Sequence, residues 1–384
     1  MRNIQFWYDD VTGYTGIQML FEWVYPNSFK SISRDSVNPN DTNIIVFRWE
    51  TTNAINPTTL TSKPEFFKLI SELNKMGFYF MADFSTEAQS IGVNSERIMF
   101  LDKLVSLGVD MNRFILSQNN SFELSVVDMK YGNHTIKRNH FPHFLLSTPF
   151  YMNQYIDSPI PHHKSNPTKD FLCLNRRVSK HKYEMLKRLW ERDLLQKTNW
   201  TWVDTTMPFD EVDSNFKNAI GLDFSKSIQL DGDVMYGREL QYADEFLYTI
   251  NTNWYNDSKI NIINETYSSD FSKRIHITEK TWKAIYLGVP FVVHATNGHL
   301  DRLNLFGFKT FGNIIDESYN WKMGVDYVIN SAINLSKLWN SSEVVDICEY
   351  NMEKIKDKNM YKYMIDKWVL EPLINMNTNN RNII

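Results

Sequence analysis

Short apolar runs alternate with amphipathic stretches along the first half of the chain. Runs of about five apolar residues predict strands, whereas apolar residues three or four positions apart, such as Phe67, Ile70 and Leu73, predict helices that bury one face. Strands alternating with helices at this spacing are typical of βαβ units with a mostly parallel sheet. The predicted strands are 4–8, 44–49, 78–82 and 113–117, and the predicted helices are 17–24, 63–76 and 95–107.

The same alternation restarts after residues 151–168, a connection that contains three prolines and no periodicity. We therefore expect a doubly wound α/β protein, in which two Rossmann-like domains face a cleft. The expected domains are 1–155, 168–355 and a C-terminal helix and tail, 356–384, that pack back on the first domain. The second half is predicted to contain strands 170–175, 200–203, 260–264 and 290–293, and helices 180–195, 279–287, 299–305 and 341–376.

Composition agrees with a two-domain globular protein. The 384 residues are 42% hydrophobic, which excludes wholesale disorder and allows a sizeable core. The net charge of −4 argues against binding nucleic acid mainly through net charge, although a local basic groove stays open. Two distant cysteines without metal-ligand spacing argue against a zinc site and exclude a disulfide framework. Because we find neither a signal peptide nor an apolar run long enough to span a bilayer, we expect a cytoplasmic protein.

The most informative segment, 260–293, is predicted to form a strand, a loop, a helix and a second strand. Thr278 is a good N-cap, and Glu279 and Lys280 follow in the first helical turn. A helix N-terminus carries partial positive charge and unpaired N–H groups, so with an ammonium beside it this end suits a diphosphate. Glu279 could accept hydrogen bonds from two ribose hydroxyls. The alternative is a surface helix with an ordinary Glu/Lys pair near its start.

The string HITEKTWKAIYLGVPFVV, preceded by INIINET, resembles the donor-binding motif of the α1,3-fucosyltransferase family. The resemblance implies the two-domain GT-B fold, inversion without a metal, and a C-terminal domain that holds the nucleotide sugar while the N-terminal domain receives the acceptor. It also implies that Glu279 contacts the nucleoside and Lys280 the diphosphate. The matching positions are Asn264, Glu265, Thr266, His276, Ile277, Thr278, Glu279, Lys280, Gly288 and Pro290.

A second candidate segment, 171–188, is again strand, turn and helix. Arg176 and Arg177 lie in the turn, and Lys180 lies in the first helical turn. The family resemblance implies a phosphate-binding arginine in this loop, and either arginine would supply bidentate contacts to phosphate oxygens. The alternative is a basic, solvated helix face, which we expect to include Lys182, Lys187 and Arg188.

Inversion requires a general base that takes the proton from the acceptor hydroxyl. Asp10 and Asp83 fit by their positions at the ends of predicted strands of the first domain. The family uses a glutamate before an aromatic, proline-containing stretch, but residues 132–140, which precede the similar stretch 141–151, contain no carboxylate. The base is therefore unassigned: Asp10 and Asp83 are the first candidates, Glu50 and Glu87 come behind them, and His134 or His140 is a further alternative. Asp231-Gly232-Asp233 resembles a metal-binding DxD motif, but a glycine turn explains it, and we expect no metal.

The leading hypothesis is a glycosyltransferase that moves a hexosyl, fucosyl or pentosyl group from a nucleoside-diphosphate sugar to a hydroxyl of a glycan or other acceptor. We expect no cofactor besides the nucleotide-sugar co-substrate. One alternative is a virus-encoded enzyme that glycosylates a hydroxymethylated base in DNA, a hypothesis that the Asn- and Lys-rich composition favours. Another is a catalytically inactive module that only binds the nucleotide sugar.

Overall fold

The computed structural model divides the chain into two compact units. The first comprises Met1–Ser147 and Lys358–Ile384, and the second comprises Thr148–Asp357. Within the described ranges, every helix is too short or too polar to cross a membrane. The described residues are 4–8, 24–25, 29–31, 37–38, 41–48, 64–84, 95–118, 127–140, 145, 166–175, 177–201, 204–205, 211–220, 252–266, 275, 277–322 and 324–371.

A parallel sheet with helices makes up the described part of the first unit. Its strands are β1 (Ile4–Tyr8), β2 (Phe29–Ser31), β3 (Thr42–Arg48), β4 (Tyr79–Phe84), β5 (Phe114–Gln118), β6 (Val127–Tyr131) and β7 (His134–His140), and its first helices are α1 (Pro64–Lys75) and α2 (Ser95–Ser106). Among these residues the seven strands follow the order β2-β1-β3-β4-β5-β7-β6. Neighbouring strands run parallel, except that β6 and β7 form an antiparallel hairpin. This arrangement confirms the predicted α/β class.

The core of the first unit forms because α1 is amphipathic. Phe67, Ile70 and Leu73 lie on its buried face, at the spacing from which the helix was predicted. They belong to one hydrophobic cluster with Phe80 of β4 and Phe114 of β5, whose rings stack with centroids 6.4 Å apart. The sheet is therefore held by aromatic and aliphatic packing.

The second unit contains a separate parallel sheet. Its strands are β8 (Lys169–Cys173), β9 (Arg177–Val178), β10 (Thr198–Trp200), β11 (Asp204–Thr205), β12 (Ser258–Asn264) and β13 (Phe291–His294). Among the described residues, four strands follow the order β10-β8-β12-β13, and β9 pairs with β11. Its helices are α3 (Lys180–Glu191), α4 (Ser214–Ile220), α5 (Thr252–Asn256), α6 (Glu279–Tyr286), α7 (His299–Leu305), α8 (Val325–Leu338) and α9 (Ser342–Lys356).

Helix α6 is short and sharply bounded. It begins after the N-cap Thr278, and it ends where Gly288 adopts a φ of +65°, a left-handed conformation that costs glycine little. The N–H of Val289 then bonds to the carbonyl of Ala284 at 2.9 Å, which turns the chain directly into β13. Trp282, 1% exposed, anchors the helix by packing against Phe308 with ring centroids 5.3 Å apart.

The carboxyl ends of the parallel strands β8, β12 and β13 meet at one edge of the second sheet. Asn264 is in register with His294, and Asn261 is in register with Leu172. Loops that follow these strand ends lead into α3, α6 and α7, so the starts of these helices lie at the same edge. In parallel sheets this edge is where ligands bind.

The predicted C-terminal helical region is divided between the two units. Helix α9 ends at Lys356, and α10 (Lys358–Ile365), which continues into a π-helical turn at Asp366–Leu370, belongs to the first unit. The predicted break near Pro372 lies outside the described residues, as do residues 17–23 of the predicted helix 17–24.

Candidate functional site

Glu265, which follows β12 directly, lies at the centre of the hydrogen-bond network at this sheet edge. Its side chain is fully buried and accepts three hydrogen bonds. The backbone N–H and the hydroxyl of Thr278 donate to its two carboxylate oxygens at 3.1 and 2.5 Å, and the hydroxyl of Thr281 donates at 2.6 Å. His299 lies behind Thr281, with its Nε2 3.4 Å from the threonine Oγ1. The carboxylate therefore fixes the first turn of α6 to the end of β12.

The start of α6 carries a lysine that folds back over the helix end. The hydroxyl oxygen of Thr278 accepts from the backbone N–H of Lys280 at 3.4 Å and from its Nζ at 3.1 Å. The same Nζ donates to the carboxylate of Glu279 at 3.1 Å. Burial raises the pKa of Glu279, but the charges of Lys280 and Lys283, together with hydrogen bonds from Lys280 and from the backbone N–H of Glu279 itself, bring the net pKa below its usual value. This end of the helix thus carries an ion pair in addition to the positive pole of the helix dipole.

His181, in the first turn of α3, connects that helix to the same strand end. Its Nε2 lies 2.9 Å from the backbone carbonyl oxygen of Glu265, and its Nδ1 lies 3.0 Å from the hydroxyl of Ser179. Because a carbonyl oxygen can only accept, the ring proton is on Nε2, and Nδ1 accepts from the serine. Ser179 has the N-cap position by its backbone, but its hydroxyl bonds to His181 instead of a helix amide.

A chain of polar side chains continues from His294 across the strand ends. Its Nδ1 lies 3.2 Å from the side-chain oxygen of Asn264, whose amide nitrogen donates to Asn175 at 3.0 Å and to the Cys173 sulfur at 3.4 Å. The rings of His294 and His181 meet edge to face with centroids 5.7 Å apart. The three strand ends and the start of α3 are therefore linked by side chains.

Lys182 is the least expected member of the site. It was predicted to lie on a solvated helix face, and this is wrong, because the side chain is only 7% exposed. Burial foremost, and repulsion from the ammonium of Lys280 next, lower the pKa of Lys182 to about 8, against attraction from the carboxylates of Glu279 and Glu265. Two ammonium groups from two helix starts therefore act on each other at this edge.

The histidines of the site are neutral at pH 7. Burial lowers the pKa of His181 to about 4, although its hydrogen bond to the Glu265 carbonyl raises it. Burial also lowers the pKa of His294 to about 3 and that of His299 to about 4. The positive charge facing the carboxylates therefore comes from the lysines and the helix ends.

The structure brings together one group of the residues predicted from sequence. The members of this group lie at the end of β12 and at the start of α6: Asn264, Glu265, Thr278, Glu279 and Lys280. Lys180, which begins α3, is exposed. Glu265 was predicted to bind the nucleotide sugar. Its carboxylate accepts hydrogen bonds from Thr278 and Thr281 of the protein itself.

Other predicted residues lie partly or wholly outside the described part of the chain. Arg177 lies in β9 and Asp83 is the penultimate residue of β4, but only their backbones are described. Arg176, His276 and Asp10 are outside the described residues. The Asp231-Gly232-Asp233 motif is outside them as well, and the described residues contain no group of three or more His, Cys, Asp or Glu side chains arranged to hold a metal ion.

Besides Cys173 and Asn175, five members of the site were not predicted. The sequence around each of them gives only a weak indication of a site. His181 and Lys182 follow a helix cap, His294 ends an apolar strand, and Thr281 and His299 lie within helices.

Comparisons with known proteins give a distant likeness to solved structures. No protein-family model matches the chain, and no curated protein matches it. Among solved structures, the chain is similar to trehalose-6-phosphate from E. coli bound with UDP-2-fluoro glucose, at 10% identity over 83% of this chain and 74% of that chain, with a TM-score of 0.34. At that TM-score the folds agree only loosely, so the proposed function rests on the residues of the site.

Proposed function

We propose that the chain is a glycosyltransferase whose second unit binds the diphosphate of a nucleoside-diphosphate sugar between the starts of α3 and α6. One observation carries the proposal: at the carboxyl edge of a parallel sheet, Lys182 is only 7% exposed, and the ammonium of Lys280 helps to lower its pKa. Like charges repel strongly where water is excluded. A diphosphate would relieve this repulsion and would also meet the positive poles of two helices.

The same groups would favour the chemical step. When the anomeric carbon of the sugar is attacked, the leaving nucleoside diphosphate gains negative charge. Lys280 and Lys182 would interact more strongly with this charge than with the intact donor, and such a difference in binding accelerates a reaction. In this proposal Glu279 accepts hydrogen bonds from the ribose, and Arg176 or Arg177 makes a further phosphate contact.

The finer parts of the proposal come from the sequence. Resemblance to the α1,3-fucosyltransferases supports inversion without a metal, with Asn264 and His276 also at the donor site. The acceptor hydroxyl would lose its proton to Asp10 or Asp83. Transfer that is lost in Asp83→Asn or Asp10→Asn, with unchanged donor binding, would identify the base.

Lys280→Ala tests the donor site. UDP, GDP and dTDP are titrated into both proteins by calorimetry, and release of the nucleotide from the corresponding sugars is measured. Because a hydrogen bond to a charged group contributes about 1.5–3 kcal/mol, we expect the substitution to weaken binding roughly 10- to 100-fold. The control is Lys337→Ala, which removes the same charge from an exposed position of α8. Normal binding and turnover in Lys280→Ala would refute the donor site.

Two further results would select the alternatives. Nucleotide binding without release or transfer from any sugar donor would favour a binding module. Retention on duplex DNA that persists from low to moderate salt would favour a DNA acceptor, since weak nonspecific binding decreases steeply with salt.

A further inference from the structure

Glu265 is attached to both helix starts of the proposed donor site through different atoms. Its carboxylate accepts from Thr278 and Thr281, which fixes α6 and therefore Lys280. Its backbone carbonyl accepts from His181, the neighbour of Lys182 in the first turn of α3. One buried residue thus connects the segments that carry the two ammonium groups.

We propose that Glu265 is a positioning residue, which holds Lys182 and Lys280 at the spacing that a nucleoside diphosphate requires. This inference rests on the proposed function. It gives Glu265 a different role from the direct donor contact expected from sequence, since its side chain is fully buried and its oxygens face protein donors.

Through Thr278, the position of Lys280 depends on whether the side chain of residue 265 accepts or donates a hydrogen bond. The Thr278 hydroxyl uses its one proton to bond to Glu265, so its oxygen is left to accept from the N–H and the Nζ of Lys280. An amide nitrogen placed opposite this hydroxyl would donate to the same oxygen. Lys280 would then compete for a lone pair, and its ammonium would lose its fixed position.

Glu265→Gln makes this change with almost no change in shape. Calorimetry with UDP, GDP and dTDP measures affinity, and titrations at pH 8.5 in two buffers of different ionisation enthalpy measure proton uptake. In the native protein, a bound diphosphate should draw a proton onto Lys182. In Glu265→Gln we expect at least tenfold weaker binding, because Lys280 loses its fixed position, and a changed proton uptake, because the carboxylate that raises the pKa of Lys182 is gone.

Glu317→Gln is the matched control. Glu317 also accepts from a threonine hydroxyl, Thr310 at 2.8 Å, and from a backbone N–H, Phe311 at 2.7 Å, but it lies outside the site. We expect this variant to change stability without changing nucleotide affinity or proton uptake. A merely structural role for Glu265 would give the same pattern in Glu265→Gln.

The outcomes separate this inference from the proposed function. If Lys280→Ala weakens binding but folded Glu265→Gln retains native affinity and proton uptake, the positioning role is refuted and the donor site stands. If neither substitution changes binding, the donor site itself is refuted. Should Glu265→Gln fail to fold, Thr281→Val removes only one donor to the carboxylate. We then expect a smaller loss of affinity, and unchanged binding would refute the positioning role.

Discussion

The two units bury very different polar side chains. Among the described residues of the first unit, the buried polar side chains are Thr42 and Asn43, and Asn43 accepts from the indole N–H of Trp7 at 2.8 Å. The buried charged side chains of the described part of the chain all belong to the second unit. They are Lys182, Glu265, Lys283 and Arg302.

This difference indicates what each unit is built to do. Burying a charge is costly unless other groups compensate, so a core made only for stability avoids it. The described core of the first unit follows that rule with aromatic and aliphatic packing. The second unit instead concentrates lysines, a carboxylate and neutral histidines where its parallel strands end. Substitutions and pH changes should therefore separate the two units.

Acid should give the largest effect, and mainly in the second unit. The folded-state pKa values of His181, His294 and His299, about 4, 3 and 4, lie below the ordinary value of 6.5. As the pH falls below 6.5 the unfolded chain binds these protons first, so stability is lost down to about pH 4. We expect a loss of about 2 kcal/mol per histidine between pH 7 and pH 5, or about 6 kcal/mol in total. Urea unfolding at each pH measures this loss of stability, and amide hydrogen exchange shows in which unit it occurs.

His299→Gln should remove one third of that dependence. His134→Gln is the control, since His134 is half-exposed in the antiparallel hairpin of the first unit. Two results would contradict this difference between the units. One is a first unit that unfolds before the second on acidification, and the other is an unchanged pH dependence of the free energy of unfolding in His299→Gln.

Phe80→Ala should act on the first unit alone. Phe80 is fully buried and stacks on Phe114, so its truncation leaves a cavity in a packed core. We expect a loss of roughly 3–5 kcal/mol in the free energy of unfolding. Nucleotide affinity of the folded protein should stay within about twofold. A large loss of affinity in Phe80→Ala would show that the proposed donor site depends on the core of the first unit.

Local patterns in the sequence predict much of the fold. The strand Ile4–Tyr8 and the helix His299–Leu305 have their predicted bounds, because an apolar run and a Gly stop define them. The hairpin β6–β7 was not predicted, since its strands are largely polar. Helix α8 was also missed, because serine and asparagine lower its helix propensity. Tertiary contacts compensate: the hydroxyl of Ser331 bonds to the carbonyl of Asp316 at 2.5 Å.

The candidate site could be predicted only where its residues follow one another. Thr278, Glu279 and Lys280 form a helix start that is visible in the sequence. His294 reaches the site through strand register, thirty residues from its partner Asn264. Lys182 looks like one of several basic residues on a surface helix, and its burial depends on packing that no local pattern encodes.

Lys182→Met should give the smallest change in stability. It should also change stability and nucleotide affinity in opposite directions. Its folded-state pKa of about 8 lies below the ordinary 10.5, so the unfolded chain holds the proton more tightly and stability rises as the pH increases from 8 to 10.5. Below pH 8 the buried ammonium therefore costs roughly 3 kcal/mol. Methionine fills a similar volume without charge, so we expect thermal unfolding at pH 7 to occur at a higher temperature.

The same substitution should weaken nucleoside-diphosphate binding and abolish proton uptake at pH 8.5. Lys187→Met is the control, because Lys187 lies on the same helix but forms a half-exposed ion pair with Asp213. A gain in stability together with a loss of affinity would mean that the charge is retained for binding at the expense of the fold. A Lys182→Met variant that is less stable and binds nucleotide normally would instead make Lys182 a structural residue, and the second unit would then resemble the first.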